Sequence, residues 1–154
     1  MRTFSDVSKN KYLSGILYDS SVYIASWRQA DYADLDRQLT YLDKRPVFLS
    51  SVVLEELYVG ATNARVAKHV ARIESQFKNV NRLLIPNLTD WITTGQILSK
   101  IGQKYGFELV KLSRMTNDCL IAVSACRLGV SVVTLNATDF QKISEFRKFN
   151  FETI

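Results

Sequence analysis

The chain has 154 residues, 47% of them hydrophobic, which fits a single domain over residues 1–154 with enough apolar side chain to bury a core unaided. A formal net charge of +5 favours a polyanionic partner, nucleic acid foremost, although a basic soluble surface with no such partner fits the same charge. With two cysteines, one histidine and no apolar run of the roughly 18 residues a membrane span needs, the composition excludes a disulfide scaffold, a thiol–imidazole zinc centre and a spanning helix.

Residues 1–15, MRTFSDVSKNKYLSG, form a basic extension of uncertain structure. They lack the apolar stretch of a secretory signal, so a cytoplasmic protein is expected. Gly15-Ile16-Leu17-Tyr18 reads as a buried strand ending at Asp19. Ser20 and Ser21 are N-cap candidates for a helix through VYIASW. Residues 31–43 predict another helix, with Leu35, Leu39 and Leu42 at helical spacing. Pro46 breaks it, and Val47-Phe48-Leu49 is a second strand. Ser50 or Ser51 caps the next helix, SVVLEELYVGA. Residues 64–79 are amphipathic, with Val66, Val70, Ile73 and Phe77 on one face. Arg82–Ile85 is a third strand candidate, stopped by Pro86. A longer helix runs from its cap at Thr89 to about Tyr105, and Gly106 closes it. The helix from Asn117 to Leu128 is followed by Gly129 and then by SVVTLN, the most strongly β-branched run in the chain. A short helix over Asp139–Ile143 and an edge strand in FNFETI complete the order. Short apolar strands alternating with helices predict an α/β domain with a mostly parallel sheet covered on both faces. Ligands of such sheets bind beyond the carboxyl ends of the strands.

Four acids fall toward that edge. Asp19 ends the first strand, Glu56 lies in the helix after the second, Asp118 opens the helix before the last strong strand, and Asp139 follows that strand. Ile121, Ala122 and Ala125 stand three, four and seven residues after Asp118, which puts it on the apolar side of its helix. Two readings fit such a carboxylate: a helix-end cap bonded to backbone N–H groups, or a functional acid. Val53, Leu57 and Ala61 set the buried side of the second helix, so Glu56 borders it and Glu55 faces solvent. Asp19 and Asp139 also have capping readings. Cys119 and Cys126 read as small buried core residues, and His69 as a surface or boundary residue.

Two carboxylates about 4 Å apart repel by roughly 4 kcal/mol at an effective dielectric of about 20. A cluster is therefore tolerable only when protonated or neutralised by a cation. An all-oxygen site suits Mg²⁺ or Mn²⁺, which can lower the pKa of a bound water and hold a phosphate. With a single histidine in a basic amphipathic helix and no glycine-rich loop, neither a nucleophilic triad nor a nucleotide-binding loop is expected.

These residues resemble a known family. ILYDSSVYIASW is similar to the opening motif of PIN-domain nucleases. LSSVVLEELYVGA resembles their second motif, in which the glutamate just before leucine, here Glu56, is the ligand. NDCLIAVSACRLGVSVVTLNATDF resembles the third and fourth. The likeness runs from about residue 15 to residue 143, and its wording is most similar to VapC-type toxins of toxin–antitoxin pairs. The resemblance implies a PIN-like three-layer α/β/α fold and a Mg²⁺- or Mn²⁺-dependent endoribonuclease acting on structured RNA such as tRNA or rRNA. It also implies a homodimer held inactive by a small antitoxin. Asp19, Glu56 and Asp118 would carry the metal. Asp139 would complete the site, as a direct ligand or beside one. Ser21, Thr134 and Asn136 would position the acids or a water. Arg28, Lys111 and Arg114 are candidates for RNA phosphates, with ordinary surface charge as the alternative. Two other functions fit the same motifs: a PIN nuclease of RNA maturation or decay with no toxin role, and an inert binding module on the same fold.

Overall fold

A computed structural model describes residues 14–29, 45–111 and 113–154. The expected helix over residues 31–43, and the extension before residue 14, lie outside the described residues. The elements are β1 (Ile16–Tyr18), α1 (Ser20–Gln29), β2 (Val47–Ser50), α2 (Ser51–Gly60), α3 (Ala64–Asn79), β3 (Leu83–Leu84), α4 (Leu88–Tyr105), α5 (Phe107–Val110), α6 (Ser113–Leu128), β4 (Ser131–Thr134), α7 (Thr138–Ser144) and β5 (Phe151–Thr153).

The sheet has the order β3-β2-β1-β4-β5, and every neighbouring pair is parallel. Successive residues of a strand point to opposite faces. Ile16, Leu17 and Tyr18 are nevertheless all buried, as are all four residues of β4, so helices cover both faces. This is the three-layer α/β/α arrangement of a PIN-like fold. The chain leaves β1 toward β2 and β3 on one side, then returns to β4 on the other. The order of strands therefore reverses between β1 and β4, and a crevice opens at the carboxyl ends of that pair. The backbone N–H of Asp19 donates to the Val133 carbonyl at 2.9 Å, so the exit of β1 is tied to β4.

Local chemistry sets the helix ends. Ser50 caps α2 by accepting from the Val52 N–H at 3.1 Å. The cap of α4 is Asn87 rather than Thr89. Asn87 Oδ1 accepts from Asp90 N, and Asp90 Oδ2 accepts from Asn87 N, both at 2.9 Å, a reciprocal capping box. Gly106 (φ +98°) closes α4, and Gly129 (φ +67°) makes the turn from α6 into β4; both backbone conformations disfavour a side chain. The helix carrying Asp118 begins at Ser113, four residues before the expected Asn117. Met115 explains the extra turn, because it is buried in the core at 1% exposure. Phe140 of α7 packs against Phe149 and Phe151, which anchors the turn that carries Asp139. Two further sequence expectations are corrected. His69 is buried, edge-on to Trp27 at 5.5 Å, and Cys126 is only half-buried. No helix among the described residues is long and apolar enough to cross a membrane.

Candidate active site

Asp19 sits one residue beyond β1 and is 6% exposed. Its Oδ1 accepts from the Ser20 N–H at 2.7 Å. Its Oδ2 accepts from Ser21 Oγ at 2.9 Å and from Thr134 Oγ1 at 3.0 Å. The serine and threonine hydroxyls are thus spent on holding this carboxylate. Ser21 Oγ also accepts from the Leu135 N–H at 3.2 Å, which joins the start of α1 to the end of β4. Asn136 hydrogen-bonds no acid among the described residues: its N–H donates to Thr134 Oγ1 at 3.0 Å, and its Oδ1 accepts from the Thr138 N–H at 3.3 Å. It braces Thr134 and the entry to α7.

Glu56 is half-buried on α2, while Glu55 is exposed. Its Oε1 accepts from Asn117 Nδ2 at 3.0 Å. Its Oε2 is buried without a hydrogen-bond partner among the described residues. Burial raises the Glu56 pKa above the ordinary carboxylate value; hydrogen bonds from Asn117 and Ser20 oppose that, while Asp19 and Glu55 add to it. Asn117 was not anticipated as a contact of the site, and nothing in its own sequence position signals the bond to α2.

Asp118 is the sixth residue of α6 and 6% exposed, in the second helical turn. A carboxylate there cannot cap the helix, because the orphan N–H groups belong to the first turn. It accepts no hydrogen bond from any described residue. Burial pushes its pKa up to about 8, with further increments from Asp19, Asp139 and Glu56 and a partial offset from Arg114. Three carboxylates, one beyond β1, one on α2 and one on α7, thus act on Asp118. Asp139, second in α7, faces Arg114 Nε at 3.5 Å and Lys142 Nζ at 3.9 Å. Lys142 is a second residue that sequence reasoning missed, although it lies one turn after Asp139. Lys111 is exposed and paired with Glu108 at 3.1 Å, and the Arg28 side chain is not among those described.

The donor set fits a hard divalent cation. It is all oxygen, one carboxylate oxygen is buried with no partner, and Asp118 is charged only at a cost that a cation would remove. As they stand, no three His, Cys, Asp or Glu side chains among the described residues are placed to share one ion. An ion shared by three of these carboxylates would require them to rotate about their side-chain torsions. A thiol nucleophile is excluded at Cys119, whose pKa burial pushes up to about 12.

Comparison with solved structures returns the same architecture. The chain is similar to DNA-bound VapBC from Salmonella typhimurium, at 21% identity and a TM-score of 0.63, covering 92% of this chain and 98% of that one. It is likewise similar to VapBC2 from Rickettsia felis bound to a promoter DNA fragment, at 18% identity and a TM-score of 0.60, covering 90% and 98%. VapBC-1 from nontypeable Haemophilus influenzae gives 18% identity and a TM-score of 0.60, covering 90% and 96%. At these identities the likeness establishes the fold. No curated protein matches the chain. The PIN domain family matches residues 16–145, a span that contains Asp19, Glu56, Asp118 and Asp139, the hydroxyl donors Ser21 and Thr134, and strands β1 to β4. The chain belongs to the PIN domain family.

Proposed function

We propose that this chain is a VapC-type toxin, a Mg²⁺- or Mn²⁺-dependent endoribonuclease that hydrolyses phosphodiester bonds in structured RNA such as tRNA or rRNA. The observation that carries the reading is Asp118: a buried carboxylate with no hydrogen-bond donor among the described residues, its pKa raised by burial and by three other acids. Such a group costs stability unless something cationic is meant to sit there. Asp19, Glu56 and Asp118 would hold the ion, with Asp139 beside them. A bound ion would supply Lewis acidity toward the phosphate and a water of lowered pKa. The chain's own residues do the rest. Ser21 and Thr134 fix the Asp19 carboxylate, and Asn117 fixes one oxygen of Glu56 so that the other points free. The formal charge of +5 favours approach of the RNA backbone. An antitoxin partner accompanies this reading, supported by the likeness of the fold to VapBC complexes, and a homodimer is proposed with it on the family resemblance alone.

Expression of the chain alone tests it. Growth should arrest, and Asp19→Asn or Asp118→Asn should relieve the arrest while the protein still accumulates. Equal arrest by the double variant would rule out the acid site as its cause.

A further inference from the structure

Asp139 differs from the other three acids in its neighbours. Asp19 is held by hydroxyls and Glu56 by an amide, whereas Asp139 lies between two cations. Its Oδ2 faces Arg114 Nε at 3.5 Å and its Oδ1 faces Lys142 Nζ at 3.9 Å, one oxygen to each. Tight charge-assisted bonds lie at about 2.7–2.9 Å. These pairs are looser, so the cations are held in place without spending their donors.

Arg114 makes no hydrogen bond to any described residue, and its pair with Asp139 runs through Nε. Its two terminal nitrogens therefore remain as a planar fork, the geometry that matches phosphate. Its side chain is 59% exposed, and that of Lys142 is 25% exposed. Lys142 has a second hold: its Nζ lies 5.6 Å from the centroid of the Tyr105 ring, and Tyr105 is itself fixed through its hydroxyl to Glu145. Other lysines are engaged differently. Lys104 pairs with Glu145, Lys111 with Glu108, and Lys78 with Glu74. Two cations on one carboxylate leave a net positive charge beside acids that would otherwise repel an incoming phosphate.

We propose that Asp139 is a positioning residue that holds Arg114 and Lys142 as a two-cation clamp for a backbone phosphate of the RNA, at the rim of the acid site. The clamp rests on the ribonuclease reading above and names the part of the site that takes the strand.

The test is binding of a short hairpin RNA by Asp118→Asn protein without divalent ions, followed across salt concentration. Each phosphate contact contributes about 0.7–0.9 to the slope of log Kd against log salt. Adding Arg114→Ala or Lys142→Ala should each flatten the slope by about that amount. Lys78→Ala, on α3, should leave it unchanged. In protein with an intact acid site, both clamp variants should raise KM more than they lower kcat. The Mn²⁺-induced thermal shift should survive Asp139→Asn and vanish in Asp118→Asn. Slopes equal to that of Lys78→Ala in a protein that still cleaves RNA overturn the clamp and leave the nuclease reading standing. Loss of the Mn²⁺ shift in Asp139→Asn overturns the positioning role in favour of direct ligation. A parent chain that neither binds nor cleaves RNA removes the ribonuclease reading and the clamp with it.

Discussion

Replacing Asp118 with asparagine should stabilise the metal-free protein, and the gain should depend on pH in a specified direction. The Asp118 pKa rises from 3.8 to about 8 on folding, through burial first and then through Asp19, Asp139 and Glu56. Between those values the folded chain binds more protons at this site than the unfolded chain does. Stability must therefore fall as pH rises through that window, at up to about 1.36 kcal/mol per pH unit. At pH 7 the accumulated cost reaches about 4 kcal/mol. An amide of the same shape carries no such cost. For a domain of this size about 1 kcal/mol moves Tm by about 2–4 °C, so Asp118→Asn should melt about 10 °C higher at pH 7 and about the same as the parent near pH 4. Excess Mn²⁺ should narrow the gap at pH 7 by stabilising the parent alone, by about 2.7 kcal/mol at a hundredfold excess over Kd. Differential scanning fluorimetry from pH 4 to 8, with and without Mn²⁺, provides the readout. Parallel pH profiles for parent and variant would refute the reasoning, because they would mean that folding does not raise the Asp118 pKa.

Three further outcomes follow from the same contacts. Thr134→Val keeps the side-chain shape but removes the 3.0 Å bond to Asp19 Oδ2; steady-state cleavage or Mn²⁺ affinity should fall about 10–100-fold with little change in Tm. Ser21→Ala should give a loss of the same kind, since it removes both the Asp19 and the Leu135 contacts, and its Mn²⁺ titration should shift in parallel. Asp90→Ala removes a buried acid from its pair with the partly exposed Arg127, together with the capping box of α4; chemical denaturation should show a loss of about 1–3 kcal/mol, with no specific effect on metal affinity.

Much of this architecture was legible in the sequence because its strands are short apolar runs. ILY, VFLS and SVVT have few other uses in a soluble chain, and parallel pairing then places Asp19 and Thr134 side by side. Helix phase alone separates Glu56 from Glu55. The start of α6 was not legible, because Thr116 and Asn117 are themselves ordinary cap residues, and only the burial of Met115 pulls the preceding turn into the helix. The cap of α4 was misplaced by two residues, because Asn87 draws its strength from Asp90 three positions on rather than from its immediate neighbours. His69 was misjudged although the spacing contained the answer: it lies three residues after Val66 and four before Ile73, on the buried stripe of α3. Asn117 was invisible for a different reason: its role exists only in tertiary contact with α2, and no local pattern encodes such a contact. Lys142 stands three residues after Asp139, a helical spacing that pairs the two, so its miss was avoidable.

Cleavage of a structured RNA by the purified chain bears on the central claim most directly. With Mn²⁺ present the parent should cut, a chelator should stop it, and returning Mn²⁺ should restore it. Asp19→Asn and Asp118→Asn, shown to be folded by their melting transitions, should not cut under any of these conditions. Cleavage that persists in chelator, or that survives in either folded variant, would contradict a metal-dependent ribonuclease built on these acids.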